Sequence, residues 1–505
     1  MNQAFLQGAV MSTHRYEVVI GVIGIVLELG LASVRAQAPP MVESEDESIP
    51  RAEDAAAQAL RSLLVAGGMT SDRAVQEVIA TSPDLRRTTA LLKEAKGGAL
   101  QAMSGLVPRL VLLGRASQLS PVETAGIATG ADPAALDALI SGLDDPNAQL
   151  LWRGLTSFQF PSLTTQYAMD ATLSYSFTRS LAEAMPAYRA AKKSKEAAKY
   201  QIQAELNDVA FAGRQAYYEY ARAEAGLAVA KFALEAAVSQ RKETESFFNA
   251  GSAAHVDLMR VRAQEEAARV AVERAKLGAE VAARALQTLM HTDELPSVGE
   301  DLSEEVTGIP TEKEKVLLER AYQNRPDLMA LHKYIEVTNH QIKSAKGGGA
   351  PDVLARGSVQ YSNPNLRVVP QQQRFESTWE VGAVIRWTPN ETVAASGRAR
   401  ELQADLKRAH ADVQLMKDAI RVEVAEGYHG MLAAQSAIGS ARSGLEAARE
   451  GYRVKREQLR AGIVNTTDLL QAQAELIRAQ VDLVESSIGI RVAKAQLRRA
   501  VGELP

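Results

Sequence analysis

The chain contains no cysteine in 505 residues. Disulfides, thiolate metal sites and cysteine nucleophiles are therefore excluded, and so is a lipid anchor carried on an N-terminal cysteine. Aromatic residues make up only 5% against 46% hydrophobic, which points to many Ala-rich helices rather than one large aromatic core. There is no basic excess either: the net charge is -4, which offers no field to nucleic acid. Long apolar runs are also missing. The best, Val18 to Leu27, holds roughly 10 clean residues against about 20 for a membrane-crossing helix. A chain of this kind that spans a bilayer has to do so with strands. The seven histidines, His14, His255, His291, His332, His340, His410 and His429, show no ligand spacing, and no nucleophile sits with a base. Neither a metal, nor a cofactor, nor an enzyme is expected.

What the chain does have is repetition. Ala250-Gly251-x5-Asp257-Leu258-Met259 and Ala461-Gly462-x5-Asp468-Leu469-Leu470 align without a gap. Each follows a very long helical pattern and precedes a shorter Ala-rich one. Arg325-Pro326-Asp327-Leu328 echoes Ser82-Pro83-Asp84-Leu85, and Pro351 follows Pro326 at the spacing at which Pro108 follows Pro83. Internal repeats decide architecture before local propensity does. The division expected is an export signal at 1–36, an acidic linker at 37–71, a first repeat at 72–290, an insert at 291–311 and a second repeat at 312–505. Each repeat reads as helix, two strands, long helix, turn and helix. The helices are predicted at 72–107, 182–249, 256–290, 312–346, 391–460 and 467–501, with a loose stretch over 118–165. Matching lengths at about 1.5 Å per residue pairs 256–290 with 312–346, and 467–501 with 72–107, each pair equalling one long helix.

The strands carry the second signal. Positions 171–177, 353–361 and 379–387 alternate, with an apolar face that includes Leu173, Tyr175, Phe177, Val359, Tyr361, Trp379, Val381, Ile385 and Trp387; a fourth strand is expected at 109–117, where Val111 and Leu113 interrupt the polar face. The other face carries Thr172, Ser174, Ser176, Arg356, Ser358, Gln360, Glu380 and Arg386. A half-buried strand in a soluble sandwich alternates in the same way, so the pattern leaves both open; the export signal and the aromatic ends favour lipid. Four strands cannot close a barrel, and an open edge in lipid leaves backbone groups unpaired. Copies must therefore combine: two give eight strands, three give twelve.

This order of elements, with the repeated Pro-Asp-Leu and Ala-Gly-x5-Asp-Leu motifs, resembles the TolC family of outer-membrane efflux proteins over about residues 70 to 502. The resemblance implies a mainly α fold with a small membrane β-barrel. Duplicated helical hairpins would form a trimeric α-barrel tunnel, and each chain would give four strands to a shared twelve-stranded barrel. It implies a passive duct across periplasm and outer membrane of a Gram-negative bacterium, in a tripartite efflux or type I secretion system. The partners implied are two further copies of the chain, a periplasmic adaptor protein, an inner-membrane pump and outer-membrane lipid. It also implies that Ala250, Gly251, Ser252, Ala461, Gly462 and Ile463 form an adaptor-contacting tip, and that Asp257, Asp468 and Gln471 lie at the periplasmic aperture. The family's Tyr and Arg latch is replaced here by Leu459 and Val464, and a second aspartate by Gln471. Simpler readings stand beside these. An aspartate in a first helical turn is favoured by the helix dipole, and glycines after helices are stops. A soluble coiled-coil scaffold or adaptor is the rival function.

Overall fold

The computed structural model describes residues 61–503, apart from 62, 66, 121–131, 157–162, 295–296, 307–311 and 370. The expected signal and most of the acidic linker lie outside the described residues.

The first repeat begins with α1 (Ser71–Thr81) and α2 (Pro83–Ser104), followed by strand β1 (Arg109–Gln118). Two short helices, α3 (Pro133–Ser141) and α4 (Pro146–Thr156), lie in the stretch expected to be loose. Strand β2 (Thr165–Ser176) leads through a helical turn at Phe177–Arg179 and a π-helical segment at Ser180–Ala184 into α5 (Met185–Asn249). The hairpin returns as α6 (His255–Met290). The second repeat runs α7 (Glu314–Asn324), α8 (Pro326–Gly347), β3 (Asp352–Asn363), β4 (Glu376–Arg386), α9 (Pro389–Arg460) and α10 (Thr466–Val501). With 65 residues in α5 and 72 in α9, each long helix measures about 100 Å.

Proline sets the interruptions. Helical patterns expected to run unbroken through 72–107 and 312–346 are each divided one residue before a proline, at Ser82 and at Arg325. A proline lacks the N–H and disfavours helical geometry in the residue before it. Ser82 is extended and its Oγ accepts from Leu85 N at 3.3 Å, capping α2. Arg325 occupies the equivalent joint with φ -65 and ψ 116. Its nearly buried guanidinium bridges Asp327 at 2.6 Å and pairs with Glu423 of α9. It also reaches the Ala500 carbonyl at the end of α10.

These joints correct the length-matched stacking. The end of α6 (Leu286, Met290) packs into one core with Ala74 and Val78 of α1. The end of α10 (Leu497, Ala500, Val501) packs with Leu317, Ala321 and Leu328 of α7 and α8. Each return helix thus meets the short helices of its own repeat, the reverse of the expected pairing. All four shorter legs have similar lengths, so length could not choose between the two arrangements; the side chains at the ends do. Gly502, with φ +80, closes α10 so tightly that a Cβ would lie 3.0 Å from Arg325 N.

A belt crosses the rods at this height. Residues 65–69 pair with 297–299 through Val65 N to Val298 O (2.9 Å), Met69 N to Ser297 O (2.7 Å) and Gly299 N to Met69 O (2.7 Å). Tyr217 of α5 donates to Met69 O at 2.9 Å. Tyr218 contacts Ser71 Oγ and Glu300 Oε1 at 3.3 and 3.2 Å. Burial, with the Glu300 charge nearby, pushes the Tyr218 hydroxyl up to about 12. Arg491 of α10 donates to the carbonyls of Asp301 and Glu304 at 3.2 and 2.9 Å.

The strands form one antiparallel sheet in the order β1-β2-β3-β4. Above the rods, Gly347 ends α8 against the π-helical segment, where a Cβ would overlap the Ala182 carbonyl. Gly347→Ala is expected to push α8 off that backbone at a cost of about 2 kcal/mol. Thermal unfolding of the variant, with Gly97→Ala on an open surface as control, checks this.

Candidate functional site

Two regions carry the sequence-predicted residues: the hairpin turns and the sheet. At the first turn α5 ends at Asn249, and Gly251 takes φ +75. Ser252 N then donates to Phe247 O at 2.8 Å, which satisfies a carbonyl left free at the helix end. Ser252 Oγ bonds the same carbonyl at 2.9 Å. At the second turn Gly462 has φ +69, and Ile463 N donates to Gln458 O at 2.9 Å. The two turns are built alike, and Gly appears in both because an L side chain is strained at that φ. Ala250, Gly251, Ala461 and Ile463 are exposed, while Ser252 and Gly462 are half-buried. Ile463, 72% exposed, is an apolar side chain at the extremity of the rod.

The aspartates begin the return helices. Asp468 N donates to Asn465 Oδ1 at 3.0 Å, and Asn465 N donates back to Asp468 Oδ2 at 3.3 Å. This reciprocal pair is a capping box. Asp257 has no such cap; it sits 3.4 Å from Arg260 one turn on. Gln471 is exposed and donates to Glu475 Oε1 at 3.2 Å. Leu258 and Leu469, next to the aspartates, are buried and fix each hairpin's apolar seam.

Sequence reasoning missed the charge lattice that braces the first hairpin. Arg241 of α5 reaches Glu265 of α6 at 2.5 Å and Glu245 at 2.6 Å. Arg262 and Arg269 of α6 bond Glu245 and Glu265 at 2.9 and 2.7 Å. The bond from Arg241 holds the Glu265 carboxyl below the ordinary carboxylate range, against its desolvation and with help from Arg269. The i,i+4 spacing within each helix was readable; the cross-helix partners were not.

In the sheet, register settles which side chains share a face. Leu173, Gly357 and Val381 lie in one row, Ala171, Val359 and Trp379 in the next, and Tyr175, Ala355 and Ala383 in another. Leu110 and Leu112 of β1 join the same face. Val353 pairs with Ile385 on it. Two expected strand residues fall outside. Phe177 starts the helical turn after β2, and Trp387 follows the end of β4. The alternation simply continued past the point where pairing stops. Phe177 packs edge-on against Tyr175 at 4.9 Å, and Trp387 Nε1 donates to Thr392 Oγ1 at 3.1 Å. At the opposite end Tyr361 stacks on Phe375 at 5.0 Å, with Tyr167 beside it at 6.3 Å. Aromatic residues therefore bound the apolar face at both ends. The eight-residue offset from Tyr167 to Tyr175 corresponds to about 27 Å along the strand. Leu112, Trp379, Val381 and Ile385 are among the most exposed apolar side chains described.

Residues 317–503 match the model of the outer membrane efflux protein family. That match spans the second repeat. The fold of the described residues is that of solved outer-membrane channels. CusC superposes with a TM-score of 0.68 at 16% identity, covering 88% of this chain and 94% of that one. CmeC of Campylobacter jejuni gives 0.65 at 16%, covering 94% of each chain. VceC of Vibrio cholerae gives 0.65 at 18%, covering 86% of this chain and 96% of that one. Comparison with curated protein sequences gives no match. Among the described residues no helix is long and apolar enough to cross a membrane, and no group of acidic or histidine side chains could hold a metal ion.

Proposed function

We propose that this protein is the outer-membrane channel of a tripartite efflux or type I secretion system, a passive duct closed from three copies of the chain. The observation that carries this is the sheet. One face of it is apolar, exposed and bounded by aromatics, and its edge strands β1 and β4 have no partner strand among the described residues. Unpaired edges are costly in lipid, and closing them head to tail with other copies removes the cost. Three copies give twelve strands, within the range of bacterial barrels. The rods, continuing for about 100 Å, would cross the periplasm of a Gram-negative cell. The Ala-Gly turns at their ends would meet a periplasmic adaptor and, through it, an inner-membrane pump that supplies the energy. Ala250, Gly251, Ser252, Ala461, Gly462 and Ile463 are assigned to adaptor contact, and Asp257, Asp468 and Gln471 to the aperture. Leu173, Tyr175, Val359, Tyr361, Trp379, Val381 and Ile385 are assigned to the lipid face.

Fractionation of a Gram-negative host tests the location. The expected result is full-length protein in the outer-membrane pellet, resistant to carbonate extraction. Soluble protein in the periplasmic extract would support the scaffold reading and refute the duct.

A further inference from the structure

The polar face of the sheet is not evenly charged. Its acids are mostly engaged: Asp352 with Ser176 and with Arg386 at 3.7 Å, Glu376 with Arg374 at 2.5 Å, and Glu380 with Arg367. Arg109 and Arg356 have no ion-pair partner among the described residues, and both are exposed. They occupy one row. Arg109 of β1 pairs with Ser174 of β2, which pairs with Arg356 of β3, and the row ends at Gly382 of β4. Two strand spacings place their backbones about 10 Å apart. No acid shares the row. The diagonal acid nearest Arg356 is Glu380, already held by the loop arginine Arg367. The remaining acid, Asp170, lies two rows away and is diagonal to Arg115.

We infer that the Arg109–Arg356 row is an anion-selecting ring in the lumen of the barrel. The inference rests on closure of the sheet into a ring of copies with its apolar face outward. Closure turns two unpaired guanidiniums per chain into six around the lumen of a ring of three, in two closely spaced tiers because barrel strands tilt, near the mouth that faces the helical tunnel. Guanidinium groups bind phosphate, sulfonate and carboxylate groups through paired, charge-assisted hydrogen bonds, and rings of arginine favour anions in pores. A solute carrying such a group would dwell here. The duct would then hold two charged layers of opposite sign in series, acidic at the tip and basic in the barrel.

Planar-bilayer recording with inorganic tripolyphosphate added on the barrel side tests this. Open-channel current is expected to be blocked, and the block to weaken as salt rises. The double variant Arg109→Gln/Arg356→Gln should conduct but need about a hundredfold more tripolyphosphate for half-block, since two bonds are lost and each bond to a charged group is worth on the order of a factor of ten. Arg115→Gln, three rows along the same face from Arg109 and diagonal to the carboxylate of Asp170, should leave the half-blocking concentration unchanged. Conducting wild-type channels that tripolyphosphate does not block would overturn the inference while leaving the duct intact. Equal block of wild type and double variant would do the same, as would an equal shift in Arg115→Gln. Purified protein that forms no channel would overturn the duct and the ring together.

Discussion

Arg325→Ala is expected to destabilise the chain by about 3 kcal/mol, the lower end of the cost of breaking a buried ion pair, because its partners are partly wet. Arg325 stands where α7 ends and α8 begins, and it ties that joint to Glu423 of α9 and the Ala500 carbonyl of α10. Removing it leaves Asp327 and Glu423 facing each other without a cation, beside the end of the hairpin leg. The equivalent joint in the first repeat uses a serine cap, and Ser82→Ala should cost only about 1 kcal/mol. Denaturant unfolding of both variants in detergent gives the comparison. The order Arg325→Ala well below Ser82→Ala in stability is the expected outcome; equal losses would show that the guanidinium does not hold the joint.

Asp468→Ala is expected to act twice. It removes half of a capping box, at about 0.5–1 kcal/mol, and it removes a charge from the proposed aperture. If three aspartates surround the pathway, the cation-to-anion permeability ratio should fall about fivefold, the equivalent of one charge pair at 4 Å in water. Asp468→Asn separates the two roles. The amide oxygen still accepts from Asn465 N, so stability should stay near wild type, while the permeability ratio should fall as it does in the alanine variant. Reversal potentials under a salt gradient measure this. An unchanged ratio in both variants would confine Asp468 to its cap.

Much of this architecture was legible because the chain states it twice. The Ala-Gly turns, the long rods and the alternating strands follow from periodicity and glycine placement alone, and the register confirms that Leu173, Val359, Trp379 and Val381 share a face. Strand ends were less legible. Phe177 and Trp387 keep the apolar alternation but fall outside the ladder, because alternation records side-chain burial and pairing records backbone geometry. The helices at 133–141 and 146–156 were hidden by Pro and Gly, which here mark helix starts and stops rather than irregular chain. The stacking of the legs was beyond reach from length. It depends on which apolar ends fit, Met290 against α1 and Val501 against α7, and such contacts are long-range by nature. The unpaired arginines were visible as polar-face residues only in part, since their lack of partners appears once Arg367 and Arg374 are seen to occupy the acids.

A channel of this kind requires copies of one chain to close the sheet, whose edges β1 and β4 are open among the described residues. The most direct measurement is the mass of the detergent-purified particle after cross-linking, joined to conductance of the same preparation in a planar bilayer. Three copies per particle, with discrete conducting steps, is the predicted result. A monodisperse single copy that leaves the bilayer silent would contradict it.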